Sequence, residues 1–459
     1  MVESASERGR AYLNCGGENM FWLHFGILLL AIYIGIRVGG VGLGLIGGAG
    51  VTIFTFAFGM KPGSPPIDVM LIIVAVVAAS ATLHAAGGLT YMVQLAERLL
   101  RRHPRAIVIL APLCTYFLTM AVGTGHAVYM LQPIIADVAY KTGIRPERAM
   151  GVSSIASQMG ITASPIAAAV TSFLAMALKA GHTVTLFNIL SVTVPATFIG
   201  VVLAAIWSLN RGKDLDKDPE FQERMKDLAF RAQLEESVTL LNEGVSKKAK
   251  FSVLLFFAGV IAIVLIAALK LAPIVDGKPV SMTTVVQIVM LSAGALIMLY
   301  SRVKVAKIAS SSVFTAGMVA VIAIMGIAWM SDTFIDAHKG ELVETMKAMV
   351  TQYSWLFAVA MFCASAFVKS QAATLVIMVP VGFVLGIPIN LLIGMIPASY
   401  AYFFFCFYPS DLSAINFDRT GTTRIGKYLL NHSFMIPGLI GVGTATVIGY
   451  VIGAFFLKI

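Results

Sequence analysis

The chain has 459 residues, 58% of them hydrophobic and only 12% charged, with a mean hydropathy of +0.87. A soluble domain carries about 25% charged residues, so a water-facing globular protein is excluded and a polytopic membrane protein is indicated. The net charge of +10 resides in short loops between apolar runs, which is a topology signal and not a nucleic-acid surface.

Residues 1–20 form a polar extension without the small-residue cleavage pattern of a signal peptide, and Met20 offers an alternative start. Apolar segments at 21–36, 39–59 and 67–86 read as crossings, since a hydrocarbon core takes roughly 20 helical residues. The run GGVGLGLIGGAG at 39–50 lacks the strand, GK[ST] and acidic partner of a nucleotide loop, and predicts close helix packing. LTYMVQLAERLLRRHPR (89–105) sets apolar residues opposite Arg98, Arg101, Arg102 and Arg105, the pattern of a helix lying in the interface. The segments 105–122 and 127–139 are short for full crossings and flank the polar tip GTGH, predicting a re-entrant hairpin over 105–139. A helix over 149–178 is broken at ASQMGITASP, and a span at 186–209 closes the first repeat, 21–209.

The linker 210–250 holds nine Lys/Arg against nine Asp/Glu and reads as a tether. The second repeat, 251–456, runs in the same order. Spans fall at 251–272, 281–300 and 313–333. A surface helix over 338–354, with Lys339, Glu341, Glu344 and Lys347, leads to a hairpin over 355–386 around KSQ. A broken helix over 391–416 and a span at 434–456 follow. The expected fold class is an all-α polytopic membrane protein: an inverted-repeat transporter with about ten membrane-crossing helices, two re-entrant hairpins and two broken helices. Four cysteines (Cys15, Cys114, Cys363, Cys406) show no CxxC or Cys/His ligand spacing, so neither a disulfide framework nor a metal site is expected.

The positive-inside rule sets 98–105, Lys141/Arg145/Arg148, Arg302/Lys304/Lys307 and Arg419/Arg424/Lys427 on one face, together with the linker. Loops 60–66, 179–185 and 273–280 fall on the other. An odd number of crossings per repeat then inserts the halves upside down relative to each other, with both termini periplasmic.

The site follows from this pairing, because Gly/Pro-interrupted segments at corresponding places in two halves mark a transporter's binding site. Pro133 and Pro165 are 32 residues apart; Pro380 and Pro409 are 29. Gly123 and Gly125 permit close backbone approach, and Thr124, Ser157, Thr162, Ser164, Ser370 and Ser410 offer hydrogen bonds to a carboxylate at half-helix N-termini. Pro165 and Pro409 are expected to end half-helices and free carbonyls. Three ionisable residues fall at the breaks, where charge in a span points to function. Lys369 is a counter-charge for an anion, or a snorkelling interfacial lysine. Asp411 pairs with Lys369 in the empty state, coordinates a coupling cation, or caps a half-helix. His126 donates to a carboxylate or shuttles a proton, or is a satisfied interior histidine. Gln158 and Gln371 are substrate ligands or glue between helices; Tyr408 adjoins the second break. His84 and Asp332, near span ends, read as interfacial. No GxGD or HExxH motif is present, so no enzymatic activity and no cofactor are expected.

At these residues the chain resembles the anaerobic C4-dicarboxylate transporter (Dcu) family. The runs that carry it are KPGSPPIDVM (61–70), VVAASATL (76–83), ERLLRR (97–102), GTGH (123–126), TGIRPERAM (142–150), SQMGITASPI (157–166), KSQAA (369–373) and YPSDLSAINFDRTGTTRIGKYLLNHSFMIPGLIGV (408–442). GTGH and YPSDL look closer to the fumarate/succinate-exchange branch. The resemblance implies electroneutral exchange of external fumarate, malate or aspartate for internal succinate across the bacterial inner membrane. It also implies association of one branch with a dicarboxylate sensor kinase, and a homodimer is compatible with the architecture. A Na⁺- or H⁺-coupled symporter of the same anions is the alternative, as is a transporter that doubles as a co-sensor. The chain departs from the family pattern at Phe405-Cys406-Phe407, where Leu-Pro-Thr precedes YPSDL, which bears on helix breaking and substrate preference.

Overall fold

The computed structural model describes residues 17–38, 40–65, 67–235, 238–269, 271–405, 408–426 and 430–457, with backbone only over 339–352. Most of the 1–20 extension, Cys15, Cys406, Phe407 and Lys427 lie outside the described residues, as do the side chains of the 338–354 surface helix beyond its first residue up to Gln352. The regular structure of the described residues is helical, apart from a hairpin pairing the two-residue strands Ile274–Val275 and Lys278–Pro279 and a single bridge between Ile425 and His432.

The first half contains α1 (Gly17–Val38), α2 (Gly42–Thr52, continued by a π-turn Ile53–Ala57), α3 (Ile67–Ala85), α4 (Gly88–Arg102), α5 (Ile107–Val122), α6 (Val128–Lys141), α7 (Pro146–Thr162), α8 (Ala168–Lys179) and α9 (Leu186–Ser208). Two short linker helices follow, α10 (Pro219–Arg224) and α11 (Leu228–Glu235). The second half contains α12 (Lys247–Ala268), α13 (Met282–Ser301), the short α14 (Val305–Ala309), α15 (Ser312–Gln352), α16 (Leu356–Val368), α17 (Gln371–Val384), α18 (Ile389–Met395), α19 (Pro409–Phe417) and α20 (Met435–Phe455).

Element for element the halves correspond. In the first, the chain bends by 69° between α3 and α4, with Gly87 at φ +81° supplying the left-handed turn. In the second, α15 leaves helical geometry at His338 (φ −116°, ψ 19°). Each bend is followed by a hairpin, α5–α6 or α16–α17, and then by a broken helix.

Among the described residues, six helices are long and apolar enough to cross a membrane, or eight when each bent pair counts as one span. One of the six is Pro104–Val122, 19 residues long, so the first arm of the first hairpin is not short, contrary to the sequence expectation. Its entry turn through Pro104 adds the missing length. Pro112, Pro133, Pro195 and Pro380 sit inside helices, which neighbouring helices and side chains make tolerable in membranes.

The glycine-rich stretch packs as its composition predicts. A Cβ on Gly44 would overlap the Ile322 carbonyl of α15, and one on Gly47 or Gly326 would meet the facing backbone. α2 and α15, one from each half, therefore touch main chain to main chain.

The linker is not a mere tether. Glu97, fully buried on α4, accepts from Arg101 Nε (2.8 Å), Thr239 Oγ1 (2.7 Å) and Leu240 N (2.9 Å). Gln94 Nε2 donates to the Leu240 and Glu243 carbonyls at 2.7 and 2.9 Å. The linker's charges are likewise engaged with both halves: Arg148 with Asp214 (2.8 Å), Arg145 with Asp218, Arg211 with Glu147 (3.0 Å) and Arg424 with Glu220 (2.9 Å). Mixed charge reads as solvated in sequence; here Arg211, Asp214, Asp218 and Glu220 are paired with residues of the two halves, and the buried acid Glu147 gains a partner this way.

Candidate functional site between the hairpin tips

The two tips have the same backbone. α5 ends on Gly123 at φ +79°, and Thr124 follows extended (φ −146°, ψ 142°). α16 ends on Lys369 at φ +55°, and Ser370 follows extended (φ −154°, ψ 121°). Each hydroxyl then caps the returning arm: Thr124 Oγ1 accepts from His126 N (3.5 Å) and Ser370 Oγ from Ala373 N (3.3 Å). Capping satisfies one orphan N–H and leaves others facing the gap between tips. A left-handed conformation costs a non-glycine residue roughly 1–2 kcal/mol, so the second tip holds a lysine at a strained position where the first uses glycine.

The tips meet around a cavity of about 450 Å³, within the ~300–1,000 Å³ of small-molecule sites. Gly123, Thr124 and His126 line it from the first tip, and Lys369, Ser370 and Gln371 from the second. Tyr402, Tyr408 and Pro409 contribute from the second broken helix, and Ile166, Ala168 and Ala169 from the first. Most of the remaining wall is apolar residues of α3 and α15, with Ser80 the polar exception. His126 Nδ1 lies 2.5 Å from Thr124 Oγ1 and its ring packs edge-on to Tyr129. It is thus a satisfied histidine that also reaches the cavity.

The other expected residues lie behind this surface. Gly125 packs against the Gln158 amide with no room for a Cβ. Gln158 joins the halves: its carbonyl accepts from Gln371 Nε2 (2.8 Å) and its Oε1 accepts from Tyr402 Oη (2.8 Å). Gln371 is therefore both cavity wall and glue, whereas Gln158 is glue. Ser157 and Thr162 bond back to the carbonyls of Ser154 (2.7 Å) and Met159 (3.1 Å) in their own helix, and Ser164 Oγ accepts from Ile166 N (3.4 Å) within the break. Pro165 falls in the break between α7 and α8, as expected, but Pro409 opens α19 instead of ending a half-helix, because proline at the first helical position loses no hydrogen bond.

Asp411 is fully buried. Its Oδ1 accepts from Ser154 Oγ at 2.6 Å, and that hydroxyl lies 3.0 Å from Ser410 Oγ. The expected pairing with Lys369 is not among the ion pairs of the described residues. Nor does Asp411 cap α19, whose capping position is Tyr408 and carries no side-chain bond. Ser410 has its carbonyl held by Gln132 Nε2 at 2.8 Å. His84 is half-buried at the end of α3, and Asp332 Oδ2 accepts from Ser64 N at 2.9 Å, tying the loop before α3 to α15.

Tyr402, Ser154, Gln132 and Ser80 escaped the sequence reading. Tyr402 sits in ASYAYFFF, where an aromatic run looks like packing. The three others are single polar residues within apolar helices, and the residues they serve are distant in sequence.

Comparison with known proteins finds relatives across nearly the whole chain. A family model described as an anaerobic C4-dicarboxylate membrane transporter matches residues 20–457. The anaerobic C4-dicarboxylate transporter DcuB of Escherichia coli O6:H1 is 44% identical over 442 residues, covering 95% of this chain and 99% of the relative. The C4-dicarboxylate transporters DcuA of Escherichia coli K12 and of Wolinella succinogenes are 38% and 36% identical, each over 94% of this chain and 98% of the relative. The YdaH transporter of Alcanivorax borkumensis, whose crystal structure has an unusual topology, shares the fold with a TM-score of 0.61. It is 17% identical and covers 95% of this chain and 98% of its own.

Proposed function

Because the chain belongs to the anaerobic C4-dicarboxylate transporter family, we propose that it exchanges fumarate, malate or aspartate for succinate by alternating access. In this reading it works in the bacterial inner membrane, its halves are inverted, and both termini are periplasmic. The observation that carries it is the pair of matching tips facing one cavity of about 450 Å³, one tip bearing Lys369. Each carboxylate of a four-carbon dianion meets one tip. Exposed N–H groups and a hydroxyl receive it on either side, and the lysine supplies a full positive charge at the second. His126, Gln371 and the two tyrosines fix the middle of the ligand, and the apolar wall of α3 and α15 takes its carbon chain.

A second observation supports alternating access. The cavity's lining extends from the tips to Gly40, before α2, and Val313, at the start of α15. A separate cavity of about 710 Å³ lies further along the same helices, lined by Ser331, Asp332 and Asp336 of α15, Val376 and Pro380 of α17, and Lys179 of α8. Between them, Leu43, Ala323, Ile327, Val368 and Ala373 form one packed apolar cluster. Closure on one side with access on the other is what exchange requires. By the positive-inside rule the Val313 end, next to Arg302, Lys304 and Lys307, faces the cytoplasm.

Counterflow in proteoliposomes tests the reading. Vesicles loaded with unlabelled succinate are given external labelled fumarate. Uptake is expected to need internal succinate and to ignore a Na⁺ gradient and the membrane potential. Uptake into empty vesicles driven by Na⁺ would replace exchange with symport.

A further inference from the structure

Among the described residues, five carboxylates are buried: Glu97, Asp137, Glu147, Asp411 and Asp418. Four of them have their charge answered. Glu97 and Asp137 share Arg101, Glu147 faces Arg145 and Arg211, and Asp418 receives four hydrogen bonds from Thr420, Thr422 and Thr423. Asp411 differs: no cation pairs with it, and its Oδ2 has no hydrogen-bond partner at all. It also stands just behind Tyr408 and Pro409, which line the dicarboxylate cavity. The N-terminal turn of α19 favours an anion here, but by less than an unpaired, fully buried carboxylate oxygen disfavours it.

We propose that Asp411 is a proton-binding site set behind the substrate cavity, and that it carries its proton while dicarboxylate is bound. The proton comes from water and adds to Oδ2, turning carboxylate into carboxylic acid with no other bond made or broken. A charged Asp411 would place a like charge behind a dianion; the neutral acid removes that repulsion. The groups facing it leave the job to Asp411 alone. Tyr129 from α6 and Tyr402 and Tyr408 from the second break are phenols, neutral at physiological pH. Ser154 of α7 and Ser410 are hydroxyls, and among the described residues neither His126 nor Lys369 is an ion-pair or hydrogen-bond partner of Asp411.

The inference about binding rests on the dicarboxylate reading, but the protonation itself is measurable without it. Infrared spectra of the full chain in lipid vesicles, with ¹³C-labelled aspartate, are expected to show a protonated-carboxyl band at neutral pH that vanishes in Asp411→Asn. Absence of an isotope-shifted band in the wild type would overturn the proposal whether or not the variant folds. With fumarate, whose carboxylates stay ionised, the wild-type KM is expected to rise about tenfold or more as pH rises through the Asp411 ionisation. In Asp411→Asn it should be flat. A variant whose KM climbs with the wild type's, or a Na⁺ requirement abolished by it, would overturn the proton assignment. Loss of fumarate transport with the band intact would refute the substrate and leave the proton site standing.

Discussion

Lys369 is the residue where strain and charge coincide. Its φ of +55° would be relieved by glycine, as Gly123 shows at the matching position. Lys369→Gly is therefore expected to raise thermal stability by about 1 kcal/mol while abolishing exchange. Lys369→Gln keeps the strain and loses the charge, and should weaken dicarboxylate binding by about 2–5 kcal/mol, read as KM in counterflow. Unchanged exchange in either variant would remove the lysine from the site. A strained non-glycine residue at a cavity wall is what a functional constraint looks like. Sequence exposed half of this: Gly123 announces a left-handed turn, but nothing about KSQ says that its lysine occupies the same conformation. The wall residue Tyr402 was illegible for a different reason. Its phenol is specified by Gln158, 244 positions away, and local pattern carries no such information.

Hairpins and broken helices were readable because their interruptions break an apolar run that would otherwise continue. Docking of the linker was not. Glu97 and Arg101 look like an exposed i,i+4 pair on an amphipathic helix, yet Glu97 is buried and its other bonds reach residues 239 and 240. Arg101 keeps Asp137 when Glu97 is removed, so the loss is that of hydrogen bonds to the linker, about 1–3 kcal/mol. Glu97→Ala is expected to release the segment from α4, and trypsin should then cut the Lys/Arg-rich stretch 211–231 several-fold faster. Equal cleavage in variant and wild type would mean that Gln94 and Arg101 hold the segment unaided.

Across the whole molecule, two cavities share α15, one on each side of the apolar cluster around Ile327. Single cysteines report which face each one meets, in a background without the four native cysteines. Ala320 lines the cavity at the tips and Ser331 the second cavity, so Ala320→Cys and Ser331→Cys report on one each. A membrane-impermeant maleimide should reach Ser331→Cys from the periplasmic side and Ala320→Cys from the cytoplasmic side. Labelling of both from one side would contradict the barrier between them.

The tips share a backbone but differ in chemistry: one presents a bare glycine, the other an ammonium group. On the exchange reading, a dicarboxylate lying between them experiences a direction. Fumarate and succinate are unchanged by end-to-end reversal, so each has two equivalent ways to enter, a statistical advantage of RT ln 2, about 0.4 kcal/mol. Malate and aspartate lack that freedom; their extra substituent falls toward Lys369 or away from it, and the two placements are unequal in energy. The inequality of the tips thus sorts ligands by their own symmetry, without any pocket dedicated to a hydroxyl or an amine.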